Sequence, residues 1–425
     1  MRTAALLALA GTLVATPALA DTTVIHAGAV IVDADSAPRG ASTITVTDGR
    51  IVSITDGFAP GPADAKTVDL KTKTIAPGMI DLHVHLTGDP GGDFWKGAVE
   101  PDEWDVVVGA KNARLTALAG FTTVREAGSG PASAFSLRRG TAEGFIDGPR
   151  IIAAGPSLAI VGGHGDVSGF RPEVNELLDS GFTCTGAVEC AEKVRLASQN
   201  GADIIKITAT GGVLSDTAAG VERQFFDDEL ESIVEAAHMM GRQVTAHAHG
   251  VTGINAFLEA GGDSIEHGTY LDNDSIRLMR RNGAYLVPTV LAGVTVAELA
   301  ETADFMTDNQ RAKSRAVGPQ MLEMARRAHD GGVTIAFGTD SGVSQHGDNA
   351  REFELLVEAG LTPMEAIETA TIHASRHVRM DSDIGTIETG KYADIVAVDG
   401  NPLENISELR DVDFVMKNGT VYLSE

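Results

Sequence analysis

The chain has 425 residues, with 33 Lys and Arg against 59 Asp and Glu, so its formal net charge is −26. Hydrophobic residues make up 43% and charged residues 22%, a globular composition that excludes a disordered or fibrous chain. The acidic excess excludes nucleic acid as a partner, because phosphate binding needs clustered Lys and Arg. After the first twenty residues no apolar run approaches the ~20 residues of a membrane helix, so no membrane partner is expected.

In chain order, Met1-Arg2, the apolar run Ala4 to Val14 and the A-x-A pattern Ala18-Leu19-Ala20 read as a signal peptide over residues 1–20. A secreted or periplasmic protein is expected. Residues 21–77 read as short strands, with Thr43–Thr47, the turn dipeptide Asp48-Gly49 and Arg50–Ile54 forming a hairpin. Residues 381–425 repeat that style in Ala393–Val398 and in Phe414–Met416 followed by Lys417-Asn418-Gly419-Thr420. The two ends are expected to build one small β-sandwich-like domain.

Between them, over residues 78–380, apolar bursts recur at Ile80–His85, Phe121–Glu126, Arg150–Ala154, Asp203–Thr208, Gln243–Ala248, Ser264–His267, Ala284–Val287 and Thr334–Gly338. Helical stretches such as Val106–Ala119 and Asp228–Met240 separate most of them. Eight strands alternating with helices predict an α/β fold, the (β/α)8 TIM barrel. An open doubly wound sheet would carry a Gly-rich phosphate turn after its first strand, and none follows His85. Cys184 and Cys190, six apart, are either a local disulfide or two loop thiols.

Five histidines fall on or at the ends of predicted barrel strands, where a barrel places its active site. His83 and His85 share one strand face, as do His247 and His249, because strand side chains alternate. Converging imidazoles at a strand end are a metal-ligand pair, or else hydrogen-bonded core histidines. His267 ends the next strand, and Asp340 ends the last, where an acid can bind a metal and accept a proton from water. Lys206 stands in the apolar strand Ile204-Ile205-Lys206-Ile207-Thr208, where an ammonium is costly to desolvate. Either a salt bridge accounts for it, or reaction with carbon dioxide makes it an anionic metal bridge.

The run Ile75-Ala76-Pro77-Gly78-Met79-Ile80-Asp81-Leu82-His83-Val84-His85 resembles the hallmark of the amidohydrolase superfamily, as does the tail Gly385–Val396. Within it the chain is most similar to the imidazolonepropionase-related branch with a carboxylated lysine, which includes secreted Xaa-Pro and Xaa-Arg/Lys dipeptidases and ochratoxin-hydrolysing amidases. The resemblance implies metal ligands His83, His85, Lys206, His247, His267 and Asp340, with N6-carboxylysine at Lys206. It implies two divalent ions, zinc foremost, sharing that carbamate and a bridging hydroxide that attacks the scissile amide. Preference for His247 over His249 as ligand rests on the resemblance alone. Asp340 is then the catalytic proton carrier, with His164 and His249 as substrate-side catalytic candidates, His164 having a solvated loop position as its alternative. Family members commonly form homo-oligomers.

The expected function is hydrolysis of a small-molecule amide, a dipeptide or N-acyl amino acid including ochratoxin-type compounds. A mononuclear cyclic-amide hydrolase, a lactonase or phosphotriesterase, and a binding protein on a decayed hydrolase scaffold are the alternatives. The acidic charge hints at cationic substrates. His238, His329, His373 and His377 are expected to be ordinary surface or packed helix residues, His346 a solvated loop residue rather than one at the pocket rim, Arg223 a surface arginine rather than the partner of a substrate carboxylate, and Phe225-Phe226 either wall or core.

Overall fold

Two Asx-Gly pairs reverse the chain near its ends. Strand Ser42–Thr47 returns as Arg50–Asp56 through Asp48-Gly49, at φ 50° and 80°, and Val412–Lys417 returns as Thr420–Ser424 through Asn418-Gly419, at φ 48° and 76°. Positive φ at both turn positions matches the right-handed twist of the paired strands. The computed structural model describes residues 21–33, 36–92, 94–215 and 220–424, so the expected signal peptide lies outside the described residues.

The hairpins flank one seven-stranded sheet, in the order 420–424, 412–417, 395–398, 66–77, 22–30, 42–47 and 50–56. Its central strand Lys66–Pro77 pairs antiparallel with Ile395–Val398 and parallel with Thr22–Val30, which joins the two chain ends around Ile25, Ile44, Ile75, Ile395 and Phe414. That strand then passes through Gly78 directly into the first barrel strand, Met79–Val84. A Cβ at Gly78 would stand 2.2 Å from Thr122 Oγ1, so the crossing needs a residue without one.

Strands Met79–Val84, Phe121–Glu126 and Arg150–Ala153 form one parallel ladder. Ile205–Thr208, Val244–Ala248, Ser264–His267 and Tyr285–Val287 form another. Backbone bonds close them into a ring. Asp203 N and Leu158 N donate to Ala153 O and Lys206 O between the third and fourth strands, each at 2.8 Å. Ala336 N donates to Leu286 O at 2.8 Å and Leu82 N to Phe337 O at 2.9 Å, seating residues 334–338 between the seventh strand and the first. The result is a TIM barrel carrying an additional β-sheet. The eighth burst makes bridges rather than a regular ladder, because Phe337 N turns to Thr369 O.

The expected helices become Glu103–Leu118 and Asp227–Met239, the latter with Glu229 accepting from Phe226 N at 2.8 Å. A helical hairpin, Val290–Thr302 and Asp308–Asp330, follows the seventh strand. Its helices touch at Gly293 and Gly318, where a Cβ on Gly318 would lie 2.6 Å from Gly293 O. Cys184 and Cys190 form a disulfide, which decides the alternative the sequence leaves open.

Barrel and sheet are tied through Asp394. Its side chain accepts from Arg150 Nη1 and from Asn418 N, both at 2.8 Å, while its carbonyl accepts from Gly78 N. The Arg150 side chain is only 17% exposed. Asp394→Ala leaves that guanidinium with Thr123 Oγ1 and Asn418 Oδ1 but no counter-charge and is expected to cost about 3 kcal/mol. Thermal unfolding measures it, and an unchanged Tm would show that the tie is without energetic weight.

Candidate metal centre

Alternation along the first barrel strand sends Asp81, His83 and His85 to the interior at increasing height. Asp81 is fully buried and accepts from His83 N at 3.0 Å, Thr339 Oγ1 at 2.6 Å and Asn349 Nδ2 at 2.8 Å, so it pins the first strand to the eighth. Above it, His83 Nδ1 donates to Glu266 Oε2 at 2.7 Å and His85 Nδ1 to Gly128 O at 2.8 Å. Both rings therefore turn Nε2 toward Asp340 Oδ1, at 3.5 and 3.3 Å.

The second group gathers from the fifth and sixth strands. His247, His249 and His267 each offer a nitrogen within 4.8 Å of the others, as do His83, His85 and Asp340. His249 Nδ1 lies 2.8 Å from Thr269 Oγ1, whose proton goes to Met321 Sδ, so the imidazole is the donor and its Nε2 is free. His247 is bound the other way, through Nε2 to Gly211 O at 3.3 Å, which leaves Nδ1 free. His267 Nδ1 lies 2.7 Å from Thr289 Oγ1. Both His247 and His249 belong to this triad, so geometry leaves their choice as ligand where the sequence does. His164 is half-buried, with its ring centroid 4.2 Å from that of His247, rather than solvated in its loop.

Two of these residues depart from strand geometry. His267 has φ 70° and Asp340 φ 57°, both in the left-handed region that non-glycine residues seldom adopt. Glu266 and Thr339 already use the interior-facing positions, so ordinary alternation would turn their successors outward. The positive φ brings both back inside, placing the His267 ring 4.6 Å from His247.

The electrostatics suit a cation site. Burial, with Lys206 nearby, lowers His83 to about 4; burial also lowers His249 to about 4 and His164 to about 3. It holds His247 and His267 well below the usual imidazole range, with their neighbouring histidines adding to it. His85 is raised instead, because bonding to Asp340 outweighs burial. Burial would raise Asp340, yet His83 and His85 hold it well below the usual carboxylate range. The neutral imidazoles of His83, His247, His249 and His267, plus the ionised Asp340, are the donors a divalent ion needs, and His85 joins them on losing the proton it shares with Asp340. Lys206 is buried with Nζ 3.3 Å from His83 Nε2, and burial lowers it to about 8. Among the described residues it forms no ion pair with a carboxylate.

A buried frame that the sequence reading passes over supports these groups. Arg125 is fully buried and donates to Glu266 Oε1 at 2.6 Å, to Leu82 O and to His377 Nε2. Thr245 Oγ1 also donates to Glu266. Burial would raise Glu266, but Arg125 and His83 hold it well below the ordinary range. Glu126 accepts from Leu86 N at 2.6 Å, beside His85, and burial raises it to about 7. The test that singles out Lys206, a charge inside an apolar burst, would also have found Asp81, Arg125, Glu126 and Glu266. Other expectations need correction. His346 is buried and bonds Gly88 O through Nε2, and Phe226 is 71% exposed while Phe225 is core. Arg223 is spent on Phe225 O and Asp227.

A closed barrel whose strand ends present neutral imidazoles, one ionised carboxylate and a buried lysine around a cavity of about 490 Å³ is the scaffold of a barrel hydrolase. The profile of the amidohydrolase family matches residues 74–422, and the chain belongs to that family. Ochratoxinase from Aspergillus niger is 33% identical over 433 residues, covering 95% of this chain and 87% of that protein. A crystal structure of a Xaa-Pro dipeptidase with methionine bound in the active site superposes with a TM-score of 0.88 at 39% identity, over 95% of this chain and all of that one. Imidazolonepropionase from Nocardia farcinica is 25% identical, over 85% and 86% of the two chains. The protein is a hydrolase acting on amide bonds.

One buried carboxyl group, which burial raises to about 8, supports the site from outside it. Glu352 accepts from Val290 N at 2.9 Å and Leu291 N at 2.6 Å, the first N–H groups of the helix that follows Thr289, the partner of His267. Glu352→Ala leaves both donors without an acceptor, at about 1–3 kcal/mol each. A Tm lowered by several degrees is expected, and wild-type stability would remove the support.

Proposed function

We propose that the protein is an exported binuclear zinc amidohydrolase that cleaves the C–N bond of dipeptides or N-acyl amino acids. Lys206 carries the reading. It is a buried amine without a carboxylate partner among the described residues, set between two groups of three donors. A lysine cation there would repel any bound metal, whereas addition of carbon dioxide to the neutral amine forms an N–C bond, releases a proton and leaves an anion. A pKa lowered to about 8 enlarges the neutral fraction that can react. The imidazole and carboxylate donors suit zinc.

His83, His85 and Asp340 would hold one ion, His247 and His267 the other, with Lys206 carbamate between them. Ions bound there supply a water of lowered pKa and a Lewis acid for the scissile carbonyl. Asp340 accepts the proton of the attacking water and returns it to the leaving nitrogen, so that an amine departs rather than an amide anion. His164 and His249 flank the cavity: His164 would donate a hydrogen bond from Nε2 to the carbonyl oxygen as charge develops on it, while His249, whose one N–H goes to Thr269, would present its Nε2 lone pair to the substrate. The names of the relatives, an ochratoxinase and a Xaa-Pro dipeptidase, support an amide flanked by a free amino acid.

Metal analysis after stripping and reloading tests the assignment. About two zinc ions per chain are expected with bicarbonate present, and fewer in carbon-dioxide-free buffer. A single ion indifferent to bicarbonate would instead favour the cyclic-amide reading. Asp340→Asn, assayed on a dipeptide library, is expected to lower kcat by at least about a hundredfold. Unimpaired turnover would strip Asp340 of its assigned role.

The proposal of export rests on Met1-Arg2, the apolar run Ala4 to Val14 and Ala18-Leu19-Ala20, together with the Cys184–Cys190 disulfide. Mass spectrometry of the protein from its own cell is expected to find a mature N-terminus at Asp21. A chain retaining Met1 would refute cleavage.

A further inference from the structure

The amide reading leaves open which side chain the substrate carries, and the cavity answers in its second half. Beside the imidazoles it is walled by Leu214, Val296, Leu299, Phe305, Val317 and Met321, all but Leu214 on or between the two helices of the 290–330 hairpin. Val296, Val317 and Met321 are buried in the wall, while Phe305 stands half-exposed at its edge. Phe305 faces Gly92 of the loop after the first strand, where a Cβ would come within 2.5 Å of its ring. Among the described lining residues Lys206 is the only lysine or arginine, and Asp89 and Asp340 are the only carboxylates. Asp89 is engaged with Lys111 at 2.6 Å. None of these lining charges belongs to the helical wall, although Lys313 on the second helix donates to Gly212 O behind the lining and its charge reaches His164 and His249.

From this we infer that the substrate carries a bulky apolar side chain, of the size of leucine, methionine or phenylalanine, lodged against the 290–330 hairpin. The inference rests on the amide-hydrolase reading. An ammonium or guanidinium placed there loses its water, meets no counter-charge on the wall and is repelled by Lys313 of the same hairpin, whereas an apolar side chain gains by leaving water. The wall also adjoins the reacting centre. Met321 Sδ accepts from Thr269 Oγ1 at 2.9 Å, and that hydroxyl lies 2.8 Å from His249 Nδ1, so a side chain touching Met321 belongs to a residue flanking the scissile bond. The net charge of −26 favours cationic ligands only over distances that salt screens beyond about 8 Å. Contact with the wall reverses that preference.

The test uses the full-length zinc-loaded protein and two dipeptide series, Ala-X and X-Ala, with X as Leu, Met, Phe, Lys, Arg or Glu. In one series the apolar residues are expected to exceed Lys and Arg by at least about tenfold in kcat/KM, with Glu reporting on the reach of Lys313. Val296→Asp is expected to reduce the preference for Leu over Lys by a further tenfold or more, and Val296→Ala to weaken it without inverting the order. If Val296→Asp does not fold, Leu299→Lys at the half-buried position replaces it. Lys and Arg turned over as well as apolar residues in both series would overturn the inference, as would a folded Val296→Asp with unaltered preference. Absence of turnover on every amide would defeat the amide reading instead. Calorimetry then decides the pocket separately, since N-acetyl-L-leucine binding more tightly than N-acetyl-L-lysine supports it and equal affinity overturns it.

Discussion

The site depends on one buried carboxylate. Glu266 is fully buried, takes the Arg125 guanidinium on one oxygen and His83 Nδ1 on the other, and so joins the second, sixth and first strands beneath the cavity. A buried pair of this kind is a poor source of net stability, since desolvation offsets most of the Coulomb gain. Its effect lies in direction. By taking the Nδ1 proton of His83 it fixes the tautomer, and the free Nε2 then points at Asp340 and Lys206. Asp81 performs the matching task between the first and eighth strands. Two carboxylates that never face the substrate thus orient the residues that do.

The same layer explains the backbone irregularities. Thr339 and Glu266 occupy the inward positions just before Asp340 and His267, and both successors reach the cavity only by adopting positive φ. Thr289, at φ 48°, is a third case, and a β-branched residue is especially unsuited to it. All three lie at strand ends around the cavity, where packing beneath them holds a conformation that an isolated chain would avoid.

Much of this was legible in the sequence, and the limits are physical. The eight bursts, the Asx-Gly hairpins and the i, i+2 histidines are local patterns with a fixed period, and the barrel and the gathering of histidines at its strand ends follow from them. The supporting frame is not local. Arg125 meets Glu266 across 141 residues and His377 across 252, and no periodicity encodes such distances. His346 reads as a solvated loop residue because its burial depends on Gly88, far away in the chain. Phe226 reads as wall or core, yet it stands just before helix Asp227–Met239 and faces water, while Phe225 alone enters the core. Nor does the apolar hairpin announce its role, since helix residues facing a cavity and those facing a core share one spacing.

Thr289 and Val290 are neighbours, the first holding His267 and the second opening the helix that walls the apolar half of the cavity. Diversification of this scaffold is thereby divided at a single peptide. Exchange of residues from Val296 onward can retune selectivity while the hydrolytic groups stay in register. An insertion or deletion at the hairpin's root would move His267 along with the wall. Variants with new substrates should therefore arise by replacement along the hairpin far more readily than by changes in its length at Thr289.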